Sequence, residues 1–245
     1  IEKKKYYNYK FESDIIWEQK IFNENSFSEL NLTFRFLNVT HSFNDKIIWG
    51  FTDNGQLWNY NLNYFDFLNQ NSINKIQGIN LILSYIGYDC KLTDWSNEPY
   101  PTSLRIINWI KFIIRNQVYD ERINGYLLQD CNRLYNNLEY HILGNHLLEN
   151  AFSLLFASYY FKNVRFYNKA KQLLISQLDE QILSDGAHFE LSPMYHQIIF
   201  VKILDCINLI RLNSNWKNDN LLNKLLSKSE IMLSWLSNMM YRSGD

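Results

Sequence analysis

Only 3 Pro and 8 Gly interrupt 245 residues, and this scarcity of chain-breakers constrains the fold more than any other feature. Sheet-rich domains need a tight turn every few residues, whereas long helices need few, so the chain is expected to be mainly α-helical. Residues 1–55 are the exception. LTFRFLNVTHSF (32–43) and DKIIWGF (45–51) are rich in aromatic and β-branched residues and partly alternate, which predicts short strands or extended structure. In the stretch that follows, a helical reading places Leu57, Tyr60, Asn61 and Tyr64 on one face. Beyond about residue 70 the period is helical. In TSLRIINWIKFIIRNQ (102–117) the polar positions Arg105, Asn108, Lys111 and Arg115 recur every three or four residues in an otherwise largely apolar stretch, so that helix is buried over most of its circumference. Leu127, Cys131, Leu134 and Leu138 mark another, and 145–161, 165–182, 193–212 and 219–240 predict four more. Short connections suit stacked antiparallel hairpins. The expected organisation is an extended segment, 1–55, packed on one helical domain, 56–245.

Composition narrows the function classes. The formal net charge is −1, which gives no global positive field for recruiting nucleic acid, and an acidic ligand would need a local cluster of donors. Cys90, Cys131 and Cys206 are widely spaced, without a CxxC pair, and suggest neither a disulfide framework nor a zinc knuckle. No segment is apolar for long enough to span a membrane. Aromatic residues reach 16%, a level that suits core packing and also suits a sugar cleft, where pyranose C–H groups rest on rings.

Chemistry-bearing residues concentrate in the second half. His141, His146, His188 and His196, four of the five histidines, fall between positions 141 and 196. In GNHLLENAFSLLFASYYF (144–161), His146, Glu149, Asn150 and Ser153 form one narrow polar stripe on an apolar helix, with no Lys or Arg until Lys162. Such a stripe either lines an internal cleft or is a run of satisfied hydrogen bonds in a helical core. In DGAHFELSPMYHQIIF (185–200), Asp185-Gly186 marks a turn, Ser192 is a candidate N-cap and Pro193 suits the first helical position. Tyr195 and His196 then stand in the first turn, where the helix dipole favours a phenolate. The alternative is a routine helix start with an aromatic residue packed behind the cap. The histidine spacings match no compact metal-ligand pair such as HExxH.

Four segments in order, LWNYNLNYFDFL (57–68), EPYPTSLRIINWIKF (98–112), GNHLLENAFSLLFASYYF (144–161) and DGAHFELSPMYHQIIF (185–200), resemble the N-terminal region of the heparinase II/III family. That resemblance implies an incomplete (α/α) toroid of helical hairpins, followed in the family by a β-sandwich domain. It implies β-elimination on uronic-acid-containing polysaccharides, an acidic polysaccharide as partner, no cofactor, and a bacterial, periplasmic or secreted setting. By the resemblance, Tyr195 matches the proton-transferring tyrosine, with His196 beside it. Asn145 and His146 occupy the segment that neutralises the uronate carboxylate, and either one can be the group concerned. Glu149 matches a supporting carboxylate, and Asn61, Tyr64, Arg105, His188 and Glu190 are candidate sugar contacts.

The C5 proton of a uronate is a poor acid because the neighbouring carboxylate is already negative. Donors aimed at that carboxylate spread the charge of the developing enolate, often the largest catalytic term. Positioned acids and bases then add about 10²–10⁴-fold each. A C5-epimerase would use the same residues, a non-catalytic carbohydrate-binding protein would not need proton-transfer groups, and a glycosidase would need two cleft carboxylates. The resemblance carries two further expectations. Asn145, His146, Tyr195 and His196 should converge on one cleft, and residues 1–245 alone should be inactive without the β-sandwich.

Overall fold

The computed structural model describes residues 10–18, 22–88, 94–142, 144–216 and 220–240; Cys90 lies outside them. Among the described residues the chain is mainly α-helical, with eight α-helices and one small sheet near the N-terminus. The sheet falls where alternation predicted it. Strands β1 (Phe27–Ser28), β2 (Thr33–Phe36) and β3 (Val39–Ser42) pair antiparallel in sequence order, with Phe34 opposite both Phe27 and His41. Residues 45–51 form turns and irregular chain instead, yet still bury Ile47 and Trp49.

The helices are α1 (Gln56–Tyr64), α2 (Lys75–Tyr88), α3 (Pro99–Asn116), α4 (Glu121–Asn136), α5 (Gly144–Phe161), α6 (Val164–Gln181), α7 (Pro193–Leu212) and α8 (Leu221–Met239). Local chemistry explains several ends. Asp120 caps α4 by accepting from the N–H groups of Arg122 and Ile123, and Asn163 caps α6 through those of Arg165 and Phe166. Pro193 does begin α7, but Ser192, although at the N-cap position, makes no capping bond with its side chain. None of these helices is long and apolar enough to cross a membrane.

Packing divides the chain between residues 137 and 138, inside the stretch read from sequence as one helical domain. The first unit takes the described residues up to 14 and 18–137. Its core is aromatic: Trp49 stacks on Phe65 at 4.9 Å, and Tyr85 meets Trp49, Phe65, Trp109 and Tyr126 edge-on. On α1 the buried face carries Trp58, Asn59, Leu62 and Asn63, while Leu57 is exposed. The Asn59 and Asn63 amides donate to the Trp49 carbonyl, satisfying a backbone group that the aromatic core would otherwise strand.

The second unit contains residues 138–240 and the short segment Ile15–Trp17. Its helices pack as two pairs, α5 with α6 and α7 with α8. Trp17 meets Phe156 edge-on, and the Asn213 side chain bonds both the N–H and the C=O of Ile16, fixing that segment beyond the end of α7. At Gly186, φ is +93°, and a Cβ there would meet the Ile231 carbonyl oxygen at 2.1 Å, so this turn requires glycine twice over.

Candidate functional site

The N-terminus of α5 and the loop before α7 are tied together by hydrogen bonds. Gly144 opens α5 with φ +55°, and its carbonyl accepts from Gln181 Nε2 at 2.8 Å. The Oε1 of Gln181 faces His188 Nε2 at 3.1 Å, and His188 Nδ1 lies 3.4 Å from the N–H of Glu190. Glu190 Oε1 in turn accepts from the Asn145 N–H at 3.2 Å, an anion placed at the positive end of α5. Two segments separated by more than forty residues thus meet through backbone and side chain.

His146 stands one residue along α5, with its side chain 35% exposed, and Nδ1 is 3.1 Å from Glu139 Oε1. Glu139 is buried and doubly held: its N–H donates to Asn150 Oδ1 at 2.9 Å, and its Oε2 accepts from Asn150 Nδ2 at 2.9 Å. Sequence reasoning passed over Glu139. It precedes α5 in a turn, and no helical spacing connects it to His146; the only signal was a carboxylate seven residues before a histidine.

The polar stripe of α5 is internal. Glu149, Asn150 and Ser153 are fully buried, with Lys202 Nζ of α7 at 3.8 Å from Glu149 Oε2, so the stripe meets solvent only at His146. Asn145 is nearly buried, and its side-chain amide makes no hydrogen bond to another described residue.

Tyr195 is half-buried in the first turn of α7. His196, its neighbour, points elsewhere: the ring is buried against Trp235 of α8 at 4.5 Å, and Nε2 donates to the Met232 carbonyl at 3.1 Å. Adjacent residues on a helix lie about 100° apart, and here Tyr195 stays part-exposed while His196 turns into the contact with α8. Convergence of all four residues is therefore corrected: His196 belongs to the α7–α8 interface. His188 is also buried, and its contacts are structural, while Glu190 caps α5. Burial pushes both imidazoles below their ordinary range; for His188 the Glu190 charge opposes the shift, and for His196 the Met232 bond does.

The remaining candidates lie in the first unit. Arg105 is fully buried, its Nε 2.8 Å from Asp130 Oδ2, with further bonds to the Ser96 carbonyl and Thr102 Oγ1. Burial works against its charge, and Asp130 together with Tyr85 and Tyr126 more than offsets this. As a sugar contact Arg105 is thus overruled by the depth at which α3 places it. Arg133, which reaches Asp130 at 3.3 Å and lines a cavity of about 250 Å³ with Asn97, Thr102 and Asn137, is the arginine of that network nearest solvent. Tyr64 is nearly buried beside Tyr100, and Asn61 bonds the Leu57 carbonyl within α1.

Comparison with solved structures identifies the fold class first. A heparinase III with methylated lysines is 16% identical with a TM-score of 0.60, covering 86% of this chain and 39% of that one. A mutant heparan sulfate lyase HepC from Pedobacter heparinus is 16% identical with a TM-score of 0.62, covering 88% of this chain and 38% of that one. The unmutated HepC gives 15%, 0.56 and the same coverage. The chain therefore shares its fold with a part of these lyases and spans about two fifths of their length. The family model described as heparinase II/III N-terminus matches residues 98–243, more than half of the sequence, and the chain belongs to that polysaccharide lyase family. No curated protein matches.

Proposed function

We propose that this chain supplies the helical part of a lyase that cleaves a uronic-acid-containing polysaccharide by β-elimination. The observation that carries this reading is the bond from the Asn145 N–H to Glu190, which holds the α5 N-terminus against the loop leading into Tyr195. Family membership supports it.

In the reaction the C5–H bond breaks as a base takes the proton, the C4=C5 bond forms, and the C4–O4 bond breaks with its electron pair leaving on O4. Asn145 or His146 faces the uronate carboxylate and spreads the enolate charge. Tyr195 transfers the proton, to O4 or from C5. A neutral amide is well suited beside a carboxylate because it donates in every protonation state.

The test is to present the full-length protein with a panel of uronic-acid polymers and follow ultraviolet absorbance of the unsaturated uronate. Tyr195→Phe should abolish turnover with substrate binding largely intact, since it removes a proton and little contact area. Deuterium entering C5 without chain cleavage would replace the reading with epimerisation.

A further inference from the structure

We infer that Gln181 and His188 are positioning residues: with Glu190 they grip the peptide group between Gly144 and Asn145 in a closed ring of hydrogen bonds. The Asn145 N–H donates to Glu190 Oε1 at 3.2 Å, and the Glu190 N–H donates to His188 Nδ1 at 3.4 Å. His188 Nε2 lies 3.1 Å from Gln181 Oε1, and Gln181 Nε2 donates to the Gly144 carbonyl at 2.8 Å. That carbonyl and the Asn145 N–H are the two ends of one peptide group, so the ring closes on itself.

Chemistry fixes every direction in it. A carbonyl can only accept, so the Gln181 atom facing Gly144 is Nε2. Its second proton goes to Gln177 Oε1 at 2.8 Å, and Gln177 is oriented in turn by donating to Glu180 Oε2. Gln181 therefore offers His188 only its oxygen, which puts the His188 proton on Nε2 and leaves Nδ1 to accept from Glu190. Every donor then points the same way round, an arrangement in which hydrogen bonds strengthen one another. Gln181 and His188 are both buried, where an unmade bond is costly. Backbone pairing sets them side by side: Ile182 bridges His188, and the Phe189 N–H donates to the Gln181 carbonyl at 2.8 Å. Gly144 suits the ring, since a Cβ there would stand 3.0 Å from Glu190 Oε1.

Capping the start of α5 needs Glu190 alone. The ring does more, because it ties that start to the end of α6 and to the loop before α7. The consequence for chemistry rests on the lyase reading above. Whichever of Asn145 and His146 meets the uronate carboxylate, the ring holds the peptide preceding it in a set relation to the loop that leads into Tyr195. Gln181 and His188 act through that peptide and need not touch substrate.

Nitrogen-15 spectra of this chain at neutral pH, with His188 assigned through its own backbone, should show Nε2 protonated and Nδ1 bare. A proton on Nδ1 would overturn the inference, and this measurement decides even if variants fail to fold. Gln181→Met separates a ring from a simple cap. His188 should then lose its single tautomer, and the Asn145 N–H should lose about tenfold of its exchange protection while amides in the middle of α5 keep theirs. Unchanged protection at Asn145 would reduce Glu190 to a cap and refute the ring. In the full-length enzyme, Gln181→Met should lower kcat on the order of 10²-fold with KM within about twofold, as when a remote change misplaces a catalytic group. A change in KM alone, or in neither constant, would refute the positioning role. Absence of lyase activity on every polymer would sink the lyase reading and leave the ring to be judged by the spectra and the exchange.

Discussion

Arg105 and His146 both sit on helices buried over most of their length, and both face a buried carboxylate, but the two networks end in different places. In the first unit, Asp130 holds Arg105 where no solute reaches it, and the bonds to Ser96 and Thr102 close the network on itself. In the second, Glu139 holds His146 by one nitrogen and leaves the ring part-exposed. A closed network of this kind specifies a fold, whereas an open one can do chemistry. The difference lies in depth, not in residue type.

The largest expected effect comes from opening the closed network. Arg105→Met breaks the fully buried ion pair and leaves Asp130 with only the part-exposed Arg133 as counter-charge; breaking a buried pair typically costs about 3–5 kcal/mol. Urea denaturation should show a loss of that order, and a change below about 1 kcal/mol would mean the Arg105 network is not the structural element described here.

Next comes the turn that positions the open network. Gly186→Ala forces an L side chain to positive φ and against the Ile231 carbonyl, so destabilisation of about 1–3 kcal/mol is expected. Hydrogen exchange should locate the loss in α7 and α8. Loss spread equally through α3 and α4 would contradict the packing division at 137/138.

The smallest effect is a difference in acid response. His188 and His196 are pushed below the ordinary imidazole value by burial, so the unfolded chain takes up protons near pH ~6.5 while the folded one does not. Stability is thus full above that value and falls as the pH drops toward the folded values. In the first unit Asp120 is lowered chiefly by its side-chain bond to Arg122. Its contribution is complete above the ordinary carboxylate value of ~3.9 and is lost only as acid carries the pH through the lower folded value. Exchange protection between pH 7 and 5.5, corrected for intrinsic rates, should therefore weaken in α7 and α8 and hold in α3 and α4. Equal weakening in both would break the contrast.

Legibility followed the same line. Residues read as helical at 145–161, 165–182, 193–212 and 219–240 form α5 to α8 within about two positions at each end. Asn145, His146 and Tyr195 stand at the α5 N-terminus and in the first turn of α7, the helix starts that the sequence segments predicted. Arg105 was misjudged because a charged residue on an apolar helix looks the same from sequence whether it lines a cleft or is sealed in a core. His196 was misjudged because adjacency in a motif suggests a shared role, while the helical turn sends neighbours to different faces. Glu139 was missed because a turn, not a spacing, brings it to His146.

The sequence by itself determined that the chain is helical, where its small sheet lies and which family it resembles, since these depend on breaker frequency, local period and ordered motifs. Tertiary structure alone decided which polar groups are sealed and which are offered, and which carboxylate holds His146. Those properties depend on solvent access and on partners distant in the chain, and no local pattern encodes either.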